Sequence, residues 1–343
     1  MTAEANKTTN RWLKWVLSLG ALLALLVVAN STYQYLRFTE FQDRLRSRGR
    51  NTPSSTPIET NLVVNASAAF ALLGSLLVIG ARSRYHLRAK RWEQQLALGR
   101  AVQNRLMPSA DSKLKHVKIA AEFVPALEVG GDLYDVFSAG EHRVAFALGD
   151  VSGKGLPAAL VMGMIQGAVR SNAWYRDAAS HEEFAERLNE LLYGRTAEAK
   201  FASLFWGVYD SKQSQLRYVS AGHCPGLVLR RGEVVRLDSS GPVLGLLERS
   251  TYQQVAVNFE PGDVLVLYSD GIVEGANAMG EEFGEDRLCA AMQRCRWGSA
   301  ETVRGAILHD FRAFLGHATP DDDVTLLVLE AAPAAQPRLI AAA

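Results

Sequence analysis

Three cysteines in 343 residues, Cys224, Cys289 and Cys295, follow no spacing pattern, which argues against a disulfide framework and suits a reducing compartment. Histidine is also sparse: seven in all, with no His/Cys cluster at zinc spacing. No Rossmann or P-loop fingerprint, internal repeat or nucleic-acid-binding patch occurs, so no nucleic-acid partner is expected. The net charge of +1 conceals an uneven split: residues 1–100 hold 14 Lys/Arg against 5 Asp/Glu, and the remainder hold 23 against 31. A basic leading segment therefore precedes an acidic main body.

Charge is wholly missing from two stretches of the basic segment. Trp15 to Ala29, extended to Tyr33, is about long enough to span a bilayer of roughly 30 Å, with Trp12, Trp15, Tyr33 and Tyr35 where an aromatic belt would sit. Leu62 to Ala81 is a second such run. The expectation is a membrane hairpin over 1–81, with spans at about 13–33 and 62–81. Nine Lys/Arg flank the pair on its outer sides against five in the loop between, from which both ends, and the acidic main body, are expected in the cytoplasm. Small residues near Ala29 leave a cleaved signal peptide open as the alternative for the first run. The loop from about 36 to 60 is polar and too short to bury a core.

Residues 82–107 read as a linker helix, with Tyr85, Trp92, Gly99 and Leu106 seven apart, a stripe able to pair two chains or to pack on the body. The final residues, 331–343, are rich in Ala and Pro and read as a disordered tail.

In the acidic body, four Asp-bearing turns sit at the ends of apolar strand runs. Gly130-Gly131-Asp132 and Gly149-Asp150-Val151-Ser152-Gly153 flank one β-hairpin; Val264 to Tyr268 breaks at Ser269-Asp270-Gly271; and Asp321-Asp322-Asp323 opens the run Val324 to Leu329. Singly, each is an ordinary turn. Adjacent carboxylates repel unless solvent or a cation accommodates them, so four such turns together point to a shared metal site. Hard oxygen ligands favour Mg²⁺ or Mn²⁺ over Zn²⁺, and a pair of such ions can bridge a water, lower its pKa and present hydroxide to a phosphoryl group.

Gly130-Gly131-Asp132-Leu133-Tyr134-Asp135, Gly149 to Gly155, Ser220-Ala221-Gly222-His223, Ser269-Asp270-Gly271 and Asp322-Asp323-Val324-Thr325 resemble, in order and over roughly 95–330, the SpoIIE/RsbU-type branch of the metal-dependent protein phosphatases (PPM family, protein phosphatase 2C fold). The resemblance implies an α+β, four-layer α/β/β/α sandwich over 108–330, and phosphoserine/phosphothreonine hydrolysis at two Mn²⁺ or Mg²⁺ ions. Carried over residue by residue, it makes Asp132, Asp150, Asp270 and Asp322 the ligands, with the Val151 carbonyl as another. Asp135 and Asp323 stand second. It also implies a phosphorylated protein substrate such as a STAS-type anti-sigma antagonist in a partner-switching pathway.

Lys154 is a candidate phosphate contact or an exposed loop lysine, and His223 a candidate general acid or a structural histidine. Where the family continues with Asn-Pro-Pro after that His, this chain has Cys224-Pro225-Gly226. Leu156 to Val169 reads as a helix whose N-terminus faces the Asp150 turn, and Ile272 to Gly284 as the family's variable flap. Two other readings stay open: a degenerate domain that binds without metal, and a metal-dependent nucleotide cyclase.

Overall fold

A computed structural model describes residues 25–27, 29–50, 57–108, 114–174, 180–194, 201–296 and 298–332. The chain divides between Gln94 and Gln95 into two compact units.

In the first unit, helix α1 occupies residues 25–46 with position 28 left out, and α2 begins at Pro57 and runs to Leu106. Proline suits a first helical position because its missing N–H has no intrahelical partner there. The Asn65 amide donates to the Ser31 hydroxyl at 3.2 Å, a polar tie between the two helices. The expected span at 62–81 and the expected linker helix at 82–107 are one uninterrupted helix. No proline and only one glycine, Gly99, lie between Ala81 and Leu106, so nothing in the sequence stops it.

Phe70, Leu72, Leu73, Leu77, Val78 and Ile79 are all exposed on α2. Among the described residues, no helix is long and apolar enough to cross a membrane. Residues 13–24 of the first expected span lie outside the described residues, as do the side chains at 62–64, 67 and 71 in the second.

The second unit is built from two five-stranded antiparallel sheets. One orders β1 (Val117–Val124), β10 (Val324–Ala331), β9 (Val264–Tyr268), β6 (Gly226–Arg230) and β7 (Glu233–Leu237). The other orders β2 (Leu133–Ser138), β3 (Arg143–Val151), β4 (Ala202–Asp210), β5 (Gln215–Ala221) and β8 (Val255–Asn258). Helices α3 (Leu156–Trp174) and α4 (His181–Leu192) pack on the second sheet, and α6 (Gly284–Arg294) and α7 (Ala300–Leu315) on the first. Short α5 (Asp270–Val273) follows β9.

Why the central strands read as unbroken apolar runs is visible in where alternate residues go. Val264, Val266 and Tyr268 face the cluster under α6 and α7, whereas Leu265 and Leu267 join the core shared with the other sheet. On β10, Leu326 and Val328 take the first face and Leu327 and Leu329 the second. With both faces buried, the period-2 pattern loses its polar half. The expected tail starts too early: Ala331 closes β10 opposite Val117, and residues 333–343 lie outside the described residues.

Candidate functional site

Register alone brings the acidic turns together in pairs. Leu133 pairs with Gly149, so Asp132, just before β2, and Asp150, near the end of β3, lie at one end of that hairpin. Leu326 pairs with Tyr268, so Asp322-Asp323, just before β10, and Asp270, just after β9, share one end of the other sheet.

The two ends are joined through Asp323. Its Oδ2 accepts the Gly131 N–H at 2.6 Å and the Asp132 N–H at 3.3 Å, and its Oδ1 accepts the Ala126 N–H at 2.8 Å. The fit is tight: a Cβ on Gly130 would come within 2.4 Å of that carboxylate, and one on Gly271 within 2.1 Å of the Asp323 carbonyl oxygen. Thr325 donates its hydroxyl to Asp132. Ser269 Oγ donates to the Asp323 carbonyl at 3.1 Å and accepts the Thr325 N–H at 2.9 Å, which ties the start of α5 to the loop before β10.

Burial and, after it, charge repulsion set the electrostatics of these turns. Asp132 is 1% exposed, and burial, then the Asp150 charge, hold its carboxyl well above the usual range, with Thr325 opposing. Asp150 is pushed up to about 6, first by burial and then by Asp270, with Asp322 and Asp323 adding to it. Asp270 is raised by burial and by Asp322, against the Gly271 N–H and Lys154. Glu274 is raised by burial, Asp270, Glu282 and Asp322, so the base of the expected flap borders the same field. Without cations these groups cannot all ionise comfortably.

The side chains are not gathered into one ligand set: among the described residues, no group of three or more His, Cys, Asp or Glu is placed to hold a metal ion. Asp132 is turned to Thr325, and Asp322 pairs with Lys154 at 3.1 Å. The donor set still fits hard divalent cations, being carboxylates at adjoining strand ends with a single lysine among them. Val151 carries its carbonyl into the same turn, since a Cβ on Gly131 would meet that oxygen at 2.8 Å.

Of the three consecutive aspartates, Asp323 is 7% exposed and both its oxygens are taken by backbone amides, which makes it a pin. The Asp322 side chain is 48% exposed, with Oδ1 accepting the Asp323 N–H at 2.9 Å and Oδ2 paired with Lys154, while Asp321 is exposed. Lys154 also donates to the Asp321 carbonyl.

Asp135 is a correction to the second-choice ligands. Its side chain is fully buried beneath α3, where Arg170 donates Nε at 2.6 Å and Nη2 at 2.8 Å to its two oxygens. Alternation along β2 sends it to the opposite face from the turn that carries Asp132. Replacing Arg170 by Ala leaves a buried carboxylate without its partner, for an expected loss on the order of 3 kcal/mol in denaturant unfolding; unchanged stability would overturn the pairing argument.

His223 has the surroundings of the structural alternative. It is 6% exposed, its Nδ1 lies 2.8 Å from Ser203 Oγ, and its Nε2 is buried without a partner. Burial depresses its pKa to about 4, which disfavours the imidazolium form that a general acid would use at neutral pH.

The sequence reading missed Thr325, Ser269 and Arg170. The first two stand inside the quoted motifs, beside aspartates that drew the attention; no local signal marks Arg170, which lies 35 residues from its partner.

A family model described as Stage II sporulation protein E (SpoIIE) matches residues 140–332. The phosphoserine phosphatase RsbU of Bacillus subtilis (strain 168) is 29% identical over 247 residues, covering 69% of this chain and 70% of that protein. Protein IcfG of Synechocystis sp. is 27% identical over 261 residues, covering 68% of this chain but only 41% of its own length, so the chain spans less than half of that relative. Among solved structures, the SiaA-PP2C domain of Pseudomonas aeruginosa superposes with a TM-score of 0.62 at 19% identity, over 71% of this chain and 98% of that one. The RsbU and RsbW domains of Rv1364c from Mycobacterium tuberculosis give 0.55 at 24% identity, over 64% of this chain and 61% of that one. These likenesses show the PP2C fold. With its model matching more than half of the sequence, the chain belongs to the SpoIIE family and carries a phosphatase domain of the SpoIIE/PP2C type.

Proposed function

We propose that the protein is a divalent-metal-dependent phosphoserine/phosphothreonine protein phosphatase acting in a partner-switching pathway. The observation that carries the reading is that register brings Asp132 and Asp150 to one strand end and Asp270 and Asp322 to another, where burial and neighbouring charge raise the carboxyls of Asp132, Asp150 and Asp270. Those four carboxylates and the Val151 carbonyl would hold two Mn²⁺ or Mg²⁺ ions. When bound, such a pair supplies an activated water at neutral pH and neutralises charge on the phosphoryl oxygens.

The chain's own residues do the remaining work. Asp323 and Thr325 fix the Asp132 turn, and Ser269 fixes the start of α5 against the loop of Asp322. Lys154, paired with Asp322, stands where it can exchange that partner for a substrate phosphate oxygen. The N-terminus of α3, just after Gly155, adds a favourable dipole end. The relative named phosphoserine phosphatase RsbU supports the substrate class, and the phosphorylated STAS-type antagonist remains the preferred protein substrate.

Hydrolysis of a phosphoserine peptide that requires Mn²⁺ and stops in EDTA is the expected result. Hydrolysis that persists in chelator would contradict the metal reading. Cyclic nucleotide formed from ATP or GTP would favour a cyclase, and Mn²⁺-independent capture of a phosphoprotein without turnover would favour a binding module.

The proposal includes a membrane tether, with spans at about 13–33 and 62–81, a cytoplasmic catalytic domain, and pairing of two chains through 82–107. Its support is the charge-free composition of the two runs and the exposure of Phe70, Leu73, Leu77 and Val78 on α2. Retention of the full chain in membranes after alkaline carbonate washing is expected, and release into the wash would contradict the tether. A single-chain mass in detergent would contradict the pairing.

A further inference from the structure

We propose that Gln103 is a positioning residue for the cation site, acting on Asp132 through the backbone of Gly130; the assignment rests on the metal reading above. Gln103 lies in the last turns of α2, is 3% exposed, and donates Nε2–H to the Gly130 carbonyl at 2.9 Å while accepting the Gly130 N–H on Oε1 at 3.2 Å. One carboxamide thus satisfies both backbone groups of one residue, as a neighbouring strand would. Gly130 is buried, and both bonds are to its main chain, so no substitution at Gly130 could substitute for them.

Asp323 approaches the same turn from elsewhere. It accepts the next two amides, from Gly131 and Asp132, and leaves no space for a Cβ at Gly130. The turn is therefore clamped between a carboxylate from the loop before β10 and a carboxamide from α2. Asp132, two residues beyond Gly130, inherits its backbone position from both.

The end of α2 is itself held close. A Cβ on Gly99 would lie 3.6 Å from Val129 Cγ1, Gln166 Nε2 donates to the Leu106 carbonyl at 2.8 Å, and the Tyr134 hydroxyl donates to the Pro108 carbonyl at 3.3 Å. Gln103 differs from these contacts because it reaches past the helix to the turn that carries a candidate ligand. An apolar residue of equal length would fill its volume but leave the Gly130 N–H and C=O dry, and the turn would shift to find partners for them.

The test compares Gln103→Met with Gln166→Met in the full chain. Both retain volume; only the first removes the clamp on Gly130, whereas the second removes a tie to the helix end. Calorimetric titration with Mn²⁺ alone is expected to give a 10- to 100-fold weaker affinity for Q103M, the usual range when a partner behind a metal ligand is lost, and less than about threefold weakening for Q166M. Q103E, which keeps an acceptor opposite the Gly130 N–H, should fall between Q103M and wild type. Hydrolysis of a phosphoserine peptide by Q103M should recover as Mn²⁺ is raised, while circular dichroism of the metal-free variant at the assay temperature shows it folded, which separates weakened metal binding from loss of folded protein. Q103M affinity within twofold of wild type, or equal weakening in Q103M and Q166M, would overturn the assignment. No Mn²⁺ binding by the wild-type chain would overturn the metal reading and this assignment with it.

Discussion

Replacing Asp150 by Asn should abolish phosphoserine hydrolysis while making the metal-free protein more stable. The two effects have one cause. Asp150 is raised to about 6 because burial, Asp270, Asp322 and Asp323 all oppose its charge, and Asn keeps the shape while removing that charge. If the carboxylate contributes several kcal/mol to binding cations and neutralising the transition state, the rate falls on the order of 10³-fold or more. Asp270→Asn should behave likewise, since its carboxyl is raised by burial and by Asp322. The readouts are peptide dephosphorylation at saturating Mn²⁺ and thermal denaturation in EDTA. Full activity in either variant would refute the reading; a lower melting temperature of D150N in EDTA would refute the repulsion argument.

Divalent cations should stabilise the catalytic domain more at pH 7.5 than at pH 5.5. Asp132 and Asp150 both have folded-state pKa values raised above the ordinary 3.8, that of Asp150 to about 6, so above 3.8 the folded protein binds more protons than the unfolded chain. The Asp150 contribution is fully present below the unfolded pKa and is lost as pH rises through about 6, and that of Asp132 is lost as pH rises through its own raised value. Above that range the ionised cluster is a liability that bound cations remove. At a hundredfold excess over Kd, one ion adds about 2.7 kcal/mol, which is several degrees for a domain of this size.

The measured quantity is the increment in melting temperature caused by Mn²⁺ at each pH, not the melting temperature itself. His223, with its pKa depressed to about 4, works in the opposite direction: stability falls as pH drops from about 6.5 towards 4. Taking the increment cancels that contribution. An increment equal at both pH values, or absent, would contradict the cluster's role.

Much of the catalytic unit was legible in the sequence because its strands are short, apolar and closed by Gly- and Asp-bearing turns. Val264 to Tyr268 and Val324 to Leu329 announce themselves as strands buried on both faces, and the turns at Asp132, Asp150 and Asp270 mark strand ends. What stayed hidden depends on pairing between distant segments. Nothing local says that Val117–Val124 lies against Val324–Ala331, yet that pairing helps bring the loop of Asp323 beside Ala126 and Gly131.

The same limit explains the ranking of the aspartates. Asp321, Asp322 and Asp323 are chemically identical in sequence; only backbone amides from another part of the chain make Asp323 the pin, whereas Asp322 pairs with Lys154. Asp135 drew attention by standing in the motif with Asp132, but its partner, Arg170, comes from the far end of α3. Gln103 was hidden for a related reason, since its two bonds are to main-chain atoms that no side-chain pattern encodes. The expected span and linker form one helix because hydropathy changes at Ala81 while helix propensity does not.

Anomalous scattering from crystals of the protein grown with Mn²⁺, collected at the manganese edge, tests the central claim most directly. The account predicts two peaks enclosed by the carboxylates of Asp132, Asp150, Asp270 and Asp322. Peaks that lie away from these four residues, or none at all in crystals that retain the fold, would contradict it.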